Sequence, residues 1–202
     1  MSLSLPKSTE VHRFVAKTNF YKQSRITPKL RDLIERQIDR ITWTNKIAPT
    51  TMNISAAEIA EFQSFEIQLK GHELDDAVLI FMQKSVPYPI IFTIRGGRGT
   101  QVAAITMGDK RSIVLSTEWR SKVLLELKGN STDALYKNYL LQLSSRFDAV
   151  SGDAQRYLEV ARLERNISGL SAKIKKEAQI NKRQALARVR HELELELKDL
   201  LG

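Results

Sequence analysis

Residues 62–94 read FQSFEIQLKGHELDDAVLIFMQKSVPYPIIFTI, and this stretch decides the fold. Phe62 to Lys70 alternates, with Phe65, Ile67 and Leu69 to one side and Glu66, Gln68 and Lys70 to the other, the period of a β-strand. From Glu73 to Val86 the spacing becomes helical. Leu74, Ala77, Val78, Phe81 and Met82 form one apolar face, and Glu73, Asp75 and Asp76 fall in a first turn where the helix dipole favours acids. Pro87-Tyr88-Pro89 stops the helix, and Ile90 to Ile94 is a nearly continuous apolar run suited to a central strand.

Elements of both kinds continue on either side. Downstream, Arg95-Gly96-Gly97-Arg98-Gly99 is a hairpin loop leading to a strand at Gln101 to Met107. Gly108-Asp109 turns the chain again into Ser112 to Thr117. Ser131-Thr132-Asp133 can cap a helix carrying Leu135, Tyr139, Leu143 and Phe147. Upstream, Thr27-Pro28 starts a helix with an apolar stripe of Leu30, Leu33, Ile34, Ile38 and Ile41. Thr42 to Ile54, broken at Pro49, predicts two short strands, and Ser2 to Arg25 predicts an irregular basic arm. The expected architecture is α+β (α/β), a mixed sheet covered by helices. It divides into an arm at 1–26, a domain at 27–150 and a C-terminal segment at 151–202.

That last segment has no proline and, after Gly152, one interior glycine, Gly169. Val160, Leu163, Ile167, Leu170 and Ile174 recur at gaps of three and four, followed by Val189, Leu193, Leu197 and Leu200. This predicts a long helix or coiled coil whose seam needs cover. The strict heptad phase fails past Ile174, at Glu177, Asn181, Gln184 and Arg188. A shift through Ala178 and Ala185 restores it, so the pattern favours a four-residue stutter over a fold-back around 176–183.

The 202 residues carry a formal charge of +9. Residues 1–50 hold 10 Lys/Arg against 4 Asp/Glu, residues 51–152 hold 11 against 11, and residues 153–202 hold 11 against 8. Lys173 to Arg190 alone contributes +6. A neutral centre with basic ends suits attraction to a polyanion. The absence of cysteine excludes disulfides, thiolate metal sites and a cysteine nucleophile. His12, His72 and His191 are isolated from one another and from any nucleophile elbow. No stretch approaches the length of a membrane span, and no signal peptide is visible, so a soluble cytoplasmic protein is expected.

Glu66, Gln68 and Lys70 are the sharpest chemical candidates. Their spacing, on a third strand before a helix and an apolar strand, resembles the PD-(D/E)xK nucleases. In those enzymes magnesium activates water and the lysine stabilises charge developing on phosphate. The upstream carboxylate is missing, since no Asp or Glu occurs from Thr42 to Ala57. A solvated sheet face accounts for the same alternation. Arg95 to Gly99 does not open a helix, as a phosphate loop would.

Several segments resemble one family: Leu5-Pro6-Lys7-Ser8-Thr9-Glu10-Val11, Ile41-Thr42-Trp43-Thr44 with Thr51-Met52-Asn53-Ile54, Phe65 to Lys70, Val86 to Phe92, Thr117-Glu118-Trp119 and Lys176 to Lys182. Together they are similar to the bacterial domain-of-unknown-function family 4391. That resemblance implies a genomic neighbourhood of helicases and DNA methyltransferases in restriction-like defence systems. It implies no catalytic residue.

The function expected is therefore a non-enzymatic accessory or interaction protein. Its nucleic-acid contacts are expected from Lys7, Arg13, Lys17, Lys22 and Arg25 in the arm, and from Lys173, Lys175, Lys176, Lys182, Arg183, Arg188 and Arg190 in the tail. The C-terminal helix is expected to dock on a partner protein or a second copy. No cofactor or metal is expected. The alternative is a magnesium-dependent PD-(D/E)xK-like nuclease, active or inactive, built on Glu66, Gln68 and Lys70.

Overall fold

A computed structural model describes residue 3 and residues 5–107, 112–143, 153–177 and 179–201. After a 3-10 turn at Lys7–Thr9, the elements are β1 (Glu10–Phe14), α1 (Lys17–Gln23), α2 (Pro28–Gln37), β2 (Ile38–Ile47) and α3 (Pro49–Met52). Next come β3 (Phe62–Leu69), α4 (Asp76–Lys84), β4 (Ile90–Gly96), β5 (Gly99–Met107) and β6 (Ser112–Ser116). Three helices follow: α5 (Thr132–Leu143), α6 (Ala154–Lys176) and α7 (Ile180–Leu201).

The six strands lie in one sheet in chain order. Every neighbouring pair is antiparallel except β3 and β4, which run parallel because α4 carries the chain back between them. The sheet is therefore mixed and the domain α+β, as the 62–94 stretch predicts. Asp75 caps α4 by accepting from the Ala77 N–H at 2.8 Å. Thr27 caps α2, with Pro28 in the first turn.

The sheet buries apolar side chains on both faces. One face packs Ile38, Ile41, Phe65, Ile67, Phe92 and Ile94 beneath α1, α2 and α4. The other packs Phe62, Ile91, Val102 and Leu115 against Leu135, Tyr139 and Leu143 of α5. Strand β4 feeds both clusters, Ile90 to the first and Ile91 to the second, which is why its sequence is continuously apolar.

Three segments depart from the sequence reading. Ile38 and Ile41 belong to β2, not to the preceding helix. A bulge, where pairing shifts between Ile38 and Arg40, puts two residues three apart on one face and so imitates helical spacing. Thr42 to Ile54 yields one strand and a single helical turn, with Pro49 at its start. The basic arm is not irregular: residues 10–14 extend the sheet at its edge, and α1 drives Phe20 into the core at 4% exposure. Arg95 to Gly99 forms a tight two-residue hairpin in which Gly96 pairs with Gly99. Gly99 has φ +107°, and a Cβ there would meet the Arg120 carbonyl oxygen at 2.4 Å.

The C-terminal segment is two helices, not one. α6 and α7 pack against each other, and Arg156 near the start of α6 donates to the Leu200 carbonyl near the end of α7, so they run antiparallel. Val160 and Leu163 are fully buried, while Leu186, Arg190, Leu193, Leu197 and Leu200 line the inner side of α7. The tail thus covers its own seam. Val189, expected in that seam, is exposed and Arg190 replaces it, with its Nε 3.1 Å from Glu194 Oε1. Gly108-Asp109, Phe147, Ser151-Gly152 and Ala178 lie outside the described residues.

Candidate nucleic-acid interface

The hairpin sorts charge along its length. Lys173, Lys175 and Lys176 end α6, and Lys182 and Arg183 begin α7, so the fold-back gathers five cations around the turn with one carboxylate, Glu177. That carboxylate accepts from the Gln179 backbone N–H at 2.9 Å. None of the five cations has an ion pair among the described residues, whereas Lys17, Arg36, Lys46, Arg95, Arg162 and Arg190 are all paired. At 1.5 Å per residue the 23 residues of α6 place this tip about 35 Å from the helix start. Lysines in the last turn of α6 suit its dipole. Lys182 and Arg183 oppose the dipole of α7, an arrangement that costs about 0.3–1 kcal/mol each. Arg188 lies further along α7, exposed, and Arg190 is held inside the seam.

In the arm, four of the five expected cations, Lys7, Arg13, Lys22 and Arg25, are exposed and have no ion pair among the described residues. Lys17 serves the fold instead. Its ammonium donates to the Ile38 carbonyl at 2.7 Å and to Glu35 Oε2 at 3.1 Å. The Tyr21 hydroxyl donates to the other Glu35 oxygen at 2.9 Å. These hydrogen bonds, Tyr21 first and Lys17 second, hold the Glu35 carboxyl below its ordinary range.

Glu66, Gln68 and Lys70 do not converge. Glu66 Oε2 accepts from Arg95 Nε at 2.8 Å, Lys70 Nζ donates to the Glu35 carbonyl at 2.9 Å, and Gln68 faces solvent. Thr42 stands opposite Glu66 on β2, at the neighbouring position on the same face of the sheet. Among the described residues no group of three or more acidic or histidine side chains is placed to hold a metal ion.

A surface that the sequence reading missed surrounds Glu66. Across the strands, Phe14, Thr42, Glu66 and Thr93 are successive register partners, and Arg40, Gln68, Arg95 and Thr100 form the next row. They occupy the sheet face that α5 covers at its other end. A cavity of about 110 Å³ opens there, lined in part by His12, Thr44 and Ser64. The signal in the sequence was Thr93 and Arg95 interrupting the apolar run of β4, but only the register brings them beside Glu66.

The fold and these surfaces define an α+β platform bearing a helical hairpin with a basic tip. A family model for the domain of unknown function DUF4391 matches residues 3–197, and the chain belongs to that family. No curated protein and no solved structure matches it. No helix among the described residues is long and apolar enough to cross a membrane.

Proposed function

We propose that this protein is a non-enzymatic accessory factor that binds nucleic acid electrostatically through the tip of its C-terminal hairpin. One observation carries the reading: five cations without an ion pair among the described residues meet at the turn, two of them where they disfavour their own helix. Sequence-independent contacts to phosphate require charge of this kind. The exposed Lys7, Arg13, Lys22 and Arg25 add a second basic segment. The neighbourhood implied by the family resemblance, helicases and DNA methyltransferases of restriction-like bacterial systems, supports a cytoplasmic partner that itself handles DNA. Ile180, Val189, Leu195 and Leu201 stay exposed on α7 after the seam closes, and they supply the apolar contacts for that partner.

The test is fluorescence anisotropy of labelled DNA and RNA against full-length protein across a salt series. Affinity should fall steeply with salt. A flat response, or no binding, overturns the proposal. Incubation with plasmid and magnesium should leave the DNA intact; cutting that disappears in Lys70→Ala would replace this reading with a nuclease.

A further inference from the structure

The polar half of the sheet face carries more than positive charge. Phe14 is 59% exposed at the sheet edge, an aromatic ring left in solvent by a chain that buries Phe20, Phe62, Phe65 and Phe92. The guanidinium of Arg40 lies 5.7 Å from the centre of the Phe14 ring, a cation–π contact that orients the ring without covering it. Thr42, Glu66 and Thr93 continue the same row into the sheet. The hydroxyls of Thr42, Ser64 and Thr93 make no hydrogen bond among the described residues, although Ser64 and Thr93 are only 2% and 5% exposed. Their unused donors and acceptors line the cavity next to the Glu66–Arg95 pair. The bulge between Glu10 and Arg13 takes His12 to φ +48°, a backbone region rare for a non-glycine residue, and His12 borders the same cavity.

From this arrangement we infer that the Phe14 edge of this sheet face binds single-stranded nucleic acid, with Phe14 as the platform for an unpaired base. The inference rests on the proposed function and names the form of nucleic acid recognised. An exposed ring beside an arginine stacks on a base only when that base is free of a duplex. Hydroxyls, a carboxylate and a guanidinium in adjacent rows then offer both donors and acceptors to a base edge. The cavity, at about 110 Å³, is smaller than the ~150 Å³ that admits benzene, so it receives an edge and not a whole nucleotide. Arg40, 5.7 Å from the ring centre, suits a phosphate beside the stacked base.

The experiment compares a labelled single strand with the corresponding duplex, at one salt concentration, on four full-length proteins: wild type, Phe14→Ala, Phe14→Trp and the variant with Lys182→Glu and Arg183→Glu. Phe14 is exposed, so its variants keep the core intact. Phe14→Ala should weaken single-strand binding roughly fivefold to a hundredfold. It should leave duplex binding unchanged, and Phe14→Trp should restore the single-strand affinity. If the tip variant weakens binding while Phe14→Ala matches wild type on the single strand, the inference falls and the proposed function stands. Equal losses on single strand and duplex in Phe14→Ala would also overturn it. If wild type binds neither ligand, the proposed function fails and takes the inference with it.

Discussion

Arg156 Nε donates to the carbonyl oxygen of Leu200 at 2.8 Å, closing the base of a helical hairpin whose other end is a cluster of five cations. The bond joins residues 44 apart and satisfies a carbonyl that the end of α7 would otherwise leave without a helical partner. Arg156→Ala should lower stability by about 1 kcal/mol, seen as a reduced Tm.

Because the seam closes within one chain, full-length protein should be a monomer by size-exclusion chromatography with light scattering. A chain ending at Glu177 loses α7 and uncovers Ile167, Leu170 and Ile174 of α6. That truncated form should self-associate or lose helicity. A stable full-length dimer would show that the hairpin opens to pair with a second copy.

Charge reversal at the tip tests the polyanion contact directly. Removing a cation that contacts phosphate reduces the steepness of log affinity against log salt by about one. Lys182→Glu with Arg183→Glu should therefore flatten the salt dependence by about two and weaken binding on every sequence alike. These substitutions place acids in the first turn of α7, so Tm should hold or rise. A fall in Tm alongside the loss of binding would point to damage in the hairpin.

Asp133 governs an acid-sensitive tie. Its carboxylate accepts from the backbone N–H groups of Ala57, Glu58 and Ile59 at 2.8, 3.0 and 2.9 Å, fastening the loop before β3 to α5. Those bonds, Ala57 first and Ile59 next, lower its pKa below the ordinary aspartate value. The stabilisation is complete above the unfolded-state pKa, about 3.9, and is lost as pH falls below it through the folded-state value. Asp133→Asn should lower Tm at neutral pH and show a smaller further loss below pH about 4 than wild type. Identical acid profiles would remove Asp133 from this role.

Two neighbouring tyrosines should respond oppositely. Tyr136 donates its hydroxyl to the Ile105 carbonyl at 3.1 Å, whereas the buried Tyr139 hydroxyl has no hydrogen-bond partner among the described residues. Burial raises the pKa of both. Tyr136→Phe should cost about 1 kcal/mol. Tyr139→Phe removes a buried polar group that makes no bond, so Tm should stay level or rise.

The class of the fold was legible from residues 62–94, since alternation, helical spacing and proline breaks are local signals that need no knowledge of neighbours. The basic character of the C-terminal segment was equally legible from composition. The boundary at Ile38 was not, because a bulge produces the i, i+3 spacing of a helix and its cause, pairing with β3, lies some 30 residues away in sequence.

Residue order also determined that the residues of α6 and α7 are helical and amphipathic. Tertiary structure alone decided that they fold back, that Arg190 and not Val189 faces the seam, and that the cations meet at one turn. The reason is that a helical period specifies which side chains share a face but not which surface will cover them. Cross-strand register has the same character. Phe14, Thr42, Glu66 and Thr93 are far apart along the chain, and only hydrogen-bonded strands place them in one row.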